Sequence, residues 1–249
     1  MNYLQLKDNG RLDKEEQALA DYFGEGNYTP FYTKHLLQHK ITLQPGDFVA
    51  GSLQATLPAL KQLGIDYSHA DYPEELTKYL HRNIWKCKLG DIRRKILEND
   101  DIPPVFIKPA NKLKKFTGCV VSTVSDIYDG YLVGRAGNSL DIICSDTVEW
   151  VSEFRVPVIN GQIKDYCHYD GDPGIMVDKG EVESMVRDYV TAPAAYCIDV
   201  GVLGTGETAL VEVNDAFSVG MYSMTPEIYG DLLTTRWKEL VPAVQDPQE

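Results

Sequence analysis

The chain has 249 residues, 43% hydrophobic and 24% charged, which suffices for one large domain or two to three compact ones with buried cores. Its formal net charge of -13 argues against a general nucleic-acid binder, which needs a basic surface to displace phosphate counterions. Five cysteines, odd in number and never spaced Cys-x-x-Cys, speak against a disulfide framework or zinc knuckle and for a reducing cytoplasm. Met1 to Lys7 lacks the apolar core of a signal peptide, and no run reaches the length of a membrane span, so no membrane partner is expected.

In chain order, residues 1–85 read as a small α/β unit. Asp47 to Gly51 is a short strand, Ser52 an N-cap, Leu53 to Leu63 a helix ending at Gly64, and Ile65 to Tyr67 a following strand. Tyr72 to Glu98 is mostly helical in pattern, and Asp101-Ile102-Pro103-Pro104 stops that helix. Val105-Phe106-Ile107-Lys108-Pro109 reads as a strand with a lysine near its end. The loop Ala110 to Gly118 follows, holding Lys112, Lys114 and Lys115, and then the strand Cys119 to Val121. This basic island in an acidic chain suits a small anionic ligand.

Further on, Phe154 to Ile159 and Gln162 to Lys164 form a strand pair across Asn160-Gly161, a strong two-residue hairpin signal. A helix is expected from Gly180 to Tyr189 and another from Pro226 to Leu240. Between them Tyr196 to Val202 and Ala209 to Asp215 alternate apolar and polar residues as a β-hairpin. If Leu203 pairs with Thr208, Asp199 lies opposite Glu212, and Asn214, two residues along, shares their face. Two carboxylates and an amide oxygen are hard ligands of the kind that suits magnesium. A solvated hairpin with acids on its wet face carries the same pattern.

Other motifs fail. Asp170 to Glu181 puts Gly174 and Ile175 where a calcium loop needs an oxygen ligand and a turn glycine, and no P-loop is present. His35 and His39 are spaced to share a helix face but have no third ligand.

The strand-end lysine, the lysine/glycine loop and the terminal Asp…Glu-x-Asn set occur in an order that resembles the ATP-grasp superfamily. The likeness is nearest to the clade named for two arginines and a lysine. It rests on Phe106-Ile107-Lys108-Pro109, Lys115-Phe116-Thr117-Gly118, Glu149 to Arg155, Tyr169-Asp170-Gly171-Asp172, Ala192 to Gly201 and Val211 to Asp215, together a little under half of the chain. The resemblance implies an α+β ATP-grasp fold with ATP between two α+β lobes. It divides the chain into residues 1–85 as an α/β lead-in domain, 86–148 as the first lobe and 149–249 as the second, with the metal site.

By the same resemblance the activity is a magnesium- and ATP-dependent ligation of a carboxylate to an amine through an acylphosphate, with a small-molecule or peptide carboxylate as substrate. Lys108 would bind the α/β-phosphates, and Lys115, Thr117 and Gly118 would belong to a phosphate-covering loop. Glu149, Trp150 and Val151 would form an adenine-reading hinge, and Glu153 would take the ribose hydroxyls. Arg155 and Lys115 would act on the transferring phosphoryl group, and Asp199, Glu212 and Asn214 would hold magnesium. Two departures stand out: Cys197 occupies the position two before Asp199 where many relatives carry a basic residue, and the second arginine has no firm place among Arg82, Arg93 and Arg94. A non-catalytic nucleotide-binding protein and a small-molecule kinase are the alternative functions.

Overall fold

The computed structural model describes residues 1–67, 71–99, 101–110, 116–128 and 133–242. Contacts between Cα atoms group the chain into two units, Met1–Tyr79 with Trp150–Glu249, and Leu80–Glu149.

The first unit opens with a three-stranded parallel sheet. Strands β1 (Asn2–Gln5), β2 (Thr29–Phe31) and β3 (Phe48–Ala50) lie in the order β2-β1-β3. Parallel neighbours need long crossovers, and helix α1 (Lys14–Phe23) supplies the first of them, its N-terminus capped by the Asp13 carboxylate on Lys14 N–H. The short helix α2 (Thr33–Leu37) and helix α3 (Leu53–Gln62) follow. Ile65 to Tyr67, expected as a strand, is irregular, and the Tyr67 hydroxyl reaches Asp215 at 2.9 Å.

The second unit departs further from expectation. Where the sequence reading has one long helical stretch, a 3-10 helix (Glu74–Tyr79) ends the preceding unit, and strand β4 (Ile84–Lys88) then comes before helix α4 (Leu89–Asn99). The period-two run Ile84-Trp85-Lys86-Cys87-Lys88 finds a partner in strand β7 (Asp141–Asp146), and that pairing overrides the helical charge pattern. Strand β5 (Asp101–Pro109) absorbs the residues expected to stop a helix. Its register with β6 (Cys119–Thr123) slips between Asp101 and Val105, where Pro103 and Pro104 have no N–H to give. These four strands make an antiparallel sheet of order β4-β7-β5-β6, and helix α5 (Val124–Tyr128) follows β6. Leu89, Ile92, Ile96, Ile107, Phe116 and Ile142 form its own core.

From Trp150 the chain rejoins the first unit. Strands β8 (Trp150–Ile159), β9 (Gln162–Ile163), β10 (Cys167–Gly171), β11 (Ala195–Leu203) and β12 (Thr208–Asp215) make an antiparallel sheet of order β10-β8-β11-β12, with β9 on β8. Asn160 and Gly161 both have positive φ, 50° and 73°, as the tight turn between β8 and β9 requires. Helix α6 (Lys179–Asp188) is capped by Asp178, and helix α7 (Pro226–Leu240) by Thr225.

Whereas the sequence reading separates residues 1–85 from 149–249, the two stretches share one core. Leu4, Leu19, Phe31, Phe48 and Leu60 are buried with Ala195, Phe217, Tyr229, Leu232 and Trp237. Trp237 donates its indole N–H to the Asp47 carbonyl at 2.6 Å, and its ring meets Phe48 edge to face. Neither a three-stranded sheet nor a single helix hides both of its apolar sides alone, so the lead-in sheet takes α7 as a cover.

Candidate active site

Strand β11 runs between β8 and β12, and every one of its residues is buried. Arg155 on β8, Asp199 on β11 and Glu212 on β12 are direct cross-strand partners, so their side chains leave one face of the sheet in a row. Asn214, opposite Cys197, stands one step along that face, and Glu153 stands one step the other way, opposite Gly201. The expected Asp199–Glu212 pairing is therefore present, but Thr208 lies opposite Val202 rather than Leu203. A bulge after Asp199 sets Val200 against Leu210, so β12 carries one extra residue on the turn side.

Arg155 grips Asp199 with both arms of its fork, Nε to Oδ1 at 2.8 Å and Nη2 to Oδ2 at 2.7 Å. The two side chains are only 8% and 4% exposed. Desolvating two charges costs several kcal/mol each, and this bidentate geometry is the kind that repays it. Burial works against the guanidinium's charge, yet the Asp199 carboxylate outweighs it and holds Arg155 above the ordinary arginine range. The third in-plane contact is Nη1 to the Gly220 carbonyl at 3.1 Å.

Asn214 Nδ2 bridges the acids, donating to Asp199 Oδ2 at 3.0 Å and Glu212 Oε1 at 3.1 Å. For magnesium the donor chemistry fits, two carboxylates and an amide oxygen on one face, although the amide must turn by half so that Oδ1 replaces Nδ2. Both Asp199 oxygens are already engaged by Arg155, and Oδ2 also accepts from Asn214. Among the described residues no group of three or more His, Cys, Asp or Glu side chains forms a metal cluster by itself, so Asn214 is needed to complete this one.

Glu153 is half-buried and accepts the Tyr169 hydroxyl at 2.6 Å. Burial raises its carboxyl above the ordinary glutamate value, and repulsion from Asp170, Asp199 and Glu212 adds to this, while the Tyr169 bond pulls the other way. Glu153 and Arg155 thus make separate contacts rather than one surface pair. Trp150, half-buried, packs across Gly201, where a Cβ would stand 2.5 Å from the indole ring. Glu149 is exposed just before β8, and the Val151 carbonyl accepts the Asp172 N–H at 2.8 Å.

The remaining candidates belong to the second unit. Lys108 sits on β5 opposite Ile143 and is half-buried. Thr117 is exposed. Gly118 lacks the side chain that would run into the Phe106 ring, so its smallness serves packing there. Lys112, Lys114 and Lys115 lie outside the described residues. Arg93, a candidate second arginine, is buried and donates to the carbonyls of Ala136 and Val133 and to Asn138, a structural commitment.

Two aromatic side chains that the sequence reading did not single out complete the face. Tyr222 has its ring 4.6 Å from Arg155 Cζ, and Tyr169 stacks on Tyr222 at 4.8 Å between centroids, 13° from parallel. Tyr169 lies within a quoted motif, but only the bulge in β10 aims it at Glu153. Tyr222 ends Ser218 to Tyr222, which reads from sequence as the loop after the metal strand and a lining of the acceptor pocket, with nothing that points its ring at Arg155.

Comparison with known proteins speaks to the fold and the family. A family model for the ATP-grasp domain, family 2 of the clade named for two arginines and a lysine, matches residues 79–232, more than half of the chain. No curated protein matches the chain. Among solved structures, D-cycloserine synthetase DcsG is similar with a TM-score of 0.60 at 10% identity, covering 95% of this chain and 99% of that one. D-alanine–D-alanine ligase from Bacillus anthracis gives 0.54 at 12% identity, with 96% of each chain covered. A RimK domain ATP-grasp protein from Sphaerobacter thermophilus gives 0.53 at 15%, with 95% and 100% covered. At such identities the likeness speaks for the fold, and the family model carries the membership. The chain has an α+β ATP-grasp fold and belongs to the ATP-grasp domain family, in the second family of the two-arginine, one-lysine clade.

Proposed function

We propose that this protein is a magnesium- and ATP-dependent ligase that joins a carboxylate to an amine, releasing ADP and phosphate. The observation that carries the reading is the row Arg155–Asp199–Glu212 with Asn214 beside it, a cationic fork and a hard-oxygen set on one face of one sheet. Membership of an ATP-grasp family supports the nucleotide.

In this reading Asp199, Glu212 and Asn214 hold magnesium, which when bound would supply positive charge to the β- and γ-phosphates. Arg155 has five N–H donors, of which three are used within the protein, leaving one on each terminal nitrogen for an oxyanion. Glu153 takes the ribose hydroxyls, with Tyr169 fixing its carboxylate. Lys108 binds the α/β-phosphates, Lys115, Thr117 and Gly118 close over them, and Glu149, Trp150 and Val151 face the base. Residues 86–148 and 149–249 then act as the two nucleotide-binding lobes and residues 1–85 as the lead-in domain. The substrates are a small-molecule or peptide carboxylate and an amine. The setting is the cytoplasm, which five free thiols suit. Among the described residues no helix is long and apolar enough to cross a membrane.

The test is ATP turnover against a panel of amino acids and peptides, with mass detection of a condensed product. Condensation with ADP release is the expected result. A phosphorylated product without condensation makes the protein a kinase, and thermal stabilisation by Mg-ATP without turnover makes it a non-catalytic binder. No stabilisation by Mg-ATP at all removes the nucleotide reading.

A further inference from the structure

The loop after β12 serves Arg155 twice. Its Gly220 carbonyl closes the plane of the guanidinium, and its Tyr222 ring covers a face. Contacts in the plane fix where the fork lies but leave it able to tilt about the line of those bonds; a ring on the face opposes that tilt. The contacts continue from Tyr222 to the stacked Tyr169 ring, and from the Tyr169 hydroxyl to Glu153, returning to the strand that carries Arg155.

The backbone at Tyr222 is unusual. Its φ is +49°, in the left-handed region that bulky residues avoid, and its carbonyl is held by Lys14 Nζ at 2.6 Å. Such conformations persist where surrounding contacts over-determine them, and they gather at functional positions. Core packing does not account for this one, because Tyr222 is 41% exposed. What its ring touches instead are Arg155 and Tyr169.

We infer that Tyr222 is a positioning residue for Arg155, its ring setting the tilt at which the two remaining N–H groups of the fork meet an anion. This rests on the functional reading above only for the identity of that anion, a nucleotide phosphate.

The test uses the full chain, labelled with 15N, and the Arg155 Nε–H resonance, assigned by its loss in Arg155→Lys. Tyr222→Phe keeps the ring. Tyr222→Asn removes it while suiting the left-handed backbone. The Phe variant is expected to hold the resonance in place and to bind Mg-ATP within about twofold of wild type. In the Asn variant the resonance should shift as the ring current is lost, and Mg-ATP affinity should fall about three- to tenfold, the range of a partly buried cation–π contact. An Asn variant with the resonance unmoved, or with undiminished affinity, overturns the proposal. So does failure of both the Asn variant and Tyr222→Gly to fold, since Tyr222 would then be a structural residue. If wild type binds no Mg-ATP, the functional reading falls on its own. The resonance, read with inorganic phosphate as the anionic probe, still decides the role of Tyr222.

Discussion

Glu212 is the residue at which the two readings of the hairpin differ most. Its carboxylate lies beside Asp199 and accepts from Asn214, and Gln can accept the same bond without the charge. Glu212→Gln should therefore leave the melting temperature of the free protein unchanged or slightly higher, since like charges facing each other repel. On the functional reading Mg-ATP stabilises the wild type, and in the variant that gain should mostly disappear while turnover falls by about tenfold to a hundredfold. Melting curves with and without Mg-ATP check this, and full stabilisation of the variant would make Glu212 a solvated surface residue. Glu153 makes a prediction in pH. Its folded carboxyl titrates above the ordinary 4.5, so the native state keeps the proton that the unfolded chain has already released. Stability from this group is present at low pH and is lost as pH rises from about 4.5 through the raised value. Glu153→Gln lacks this loss, so the gap between wild-type and variant melting temperatures should change across that window. A gap constant from about pH 4 to about pH 7 would show that Glu153 titrates alike in both states.

At the scale of elements, what could be read from sequence was whatever is local. The β11–β12 hairpin needs one turn and a period of two, so Asp199, Glu212 and Asn214 emerged on one face from the pattern alone. The β8–β9 turn and helix α7 were legible for the same reason. The Arg155–Asp199 pair was not, because it joins residues 44 apart through the register of β8 on β11, which no local pattern encodes. Strands β1 and β2 escaped notice because they are short, and β4 because Lys86 and Lys88 mimic the charged side of a helix. Helix α7 carries its own test at Gly230. On an isolated helix Gly→Ala gains about 1 kcal/mol, but here a Cβ would enter the ring of Tyr22 on α1, whose hydroxyl is tied to Asp231 at 2.8 Å. Overpacking of this kind costs about 1–3 kcal/mol, so Gly230→Ala should be destabilising on balance in urea unfolding. A clear gain would mean that the Tyr22 ring yields freely.

For the whole molecule, residues 80–149 form a unit of their own, inserted in sequence between the two stretches of the first. Among the described residues, none in the large core of the first unit comes from this stretch. The ends of the insertion meet, since Asp146 N–H bonds the Asn83 carbonyl and Ile84 pairs with Ser145. Replacing residues 80–149 by a short Gly-Ser linker should leave a folded protein with a cooperative transition, because insertions at such sites are tolerated. Circular dichroism and urea unfolding check this. On the functional reading the shortened chain, lacking Lys108, should gain less from Mg-ATP than the full one.

The bond from Trp237 to Asp47 spans 190 residues, and it has a consequence for how the molecule is made. Ribosomes add about 5–20 residues per second, so the Asp47 carbonyl waits about 10 to 40 s for its indole. Throughout that interval the lead-in sheet has emerged with Phe48 and its neighbours still lacking the cover that α7 provides. Among the described residues, Leu89, Ile96 and Ile107 are buried in a cluster drawn from the 80–149 stretch itself. On the growing chain the core of residues 80–149 can therefore close while the lead-in sheet still waits for its cover from α7.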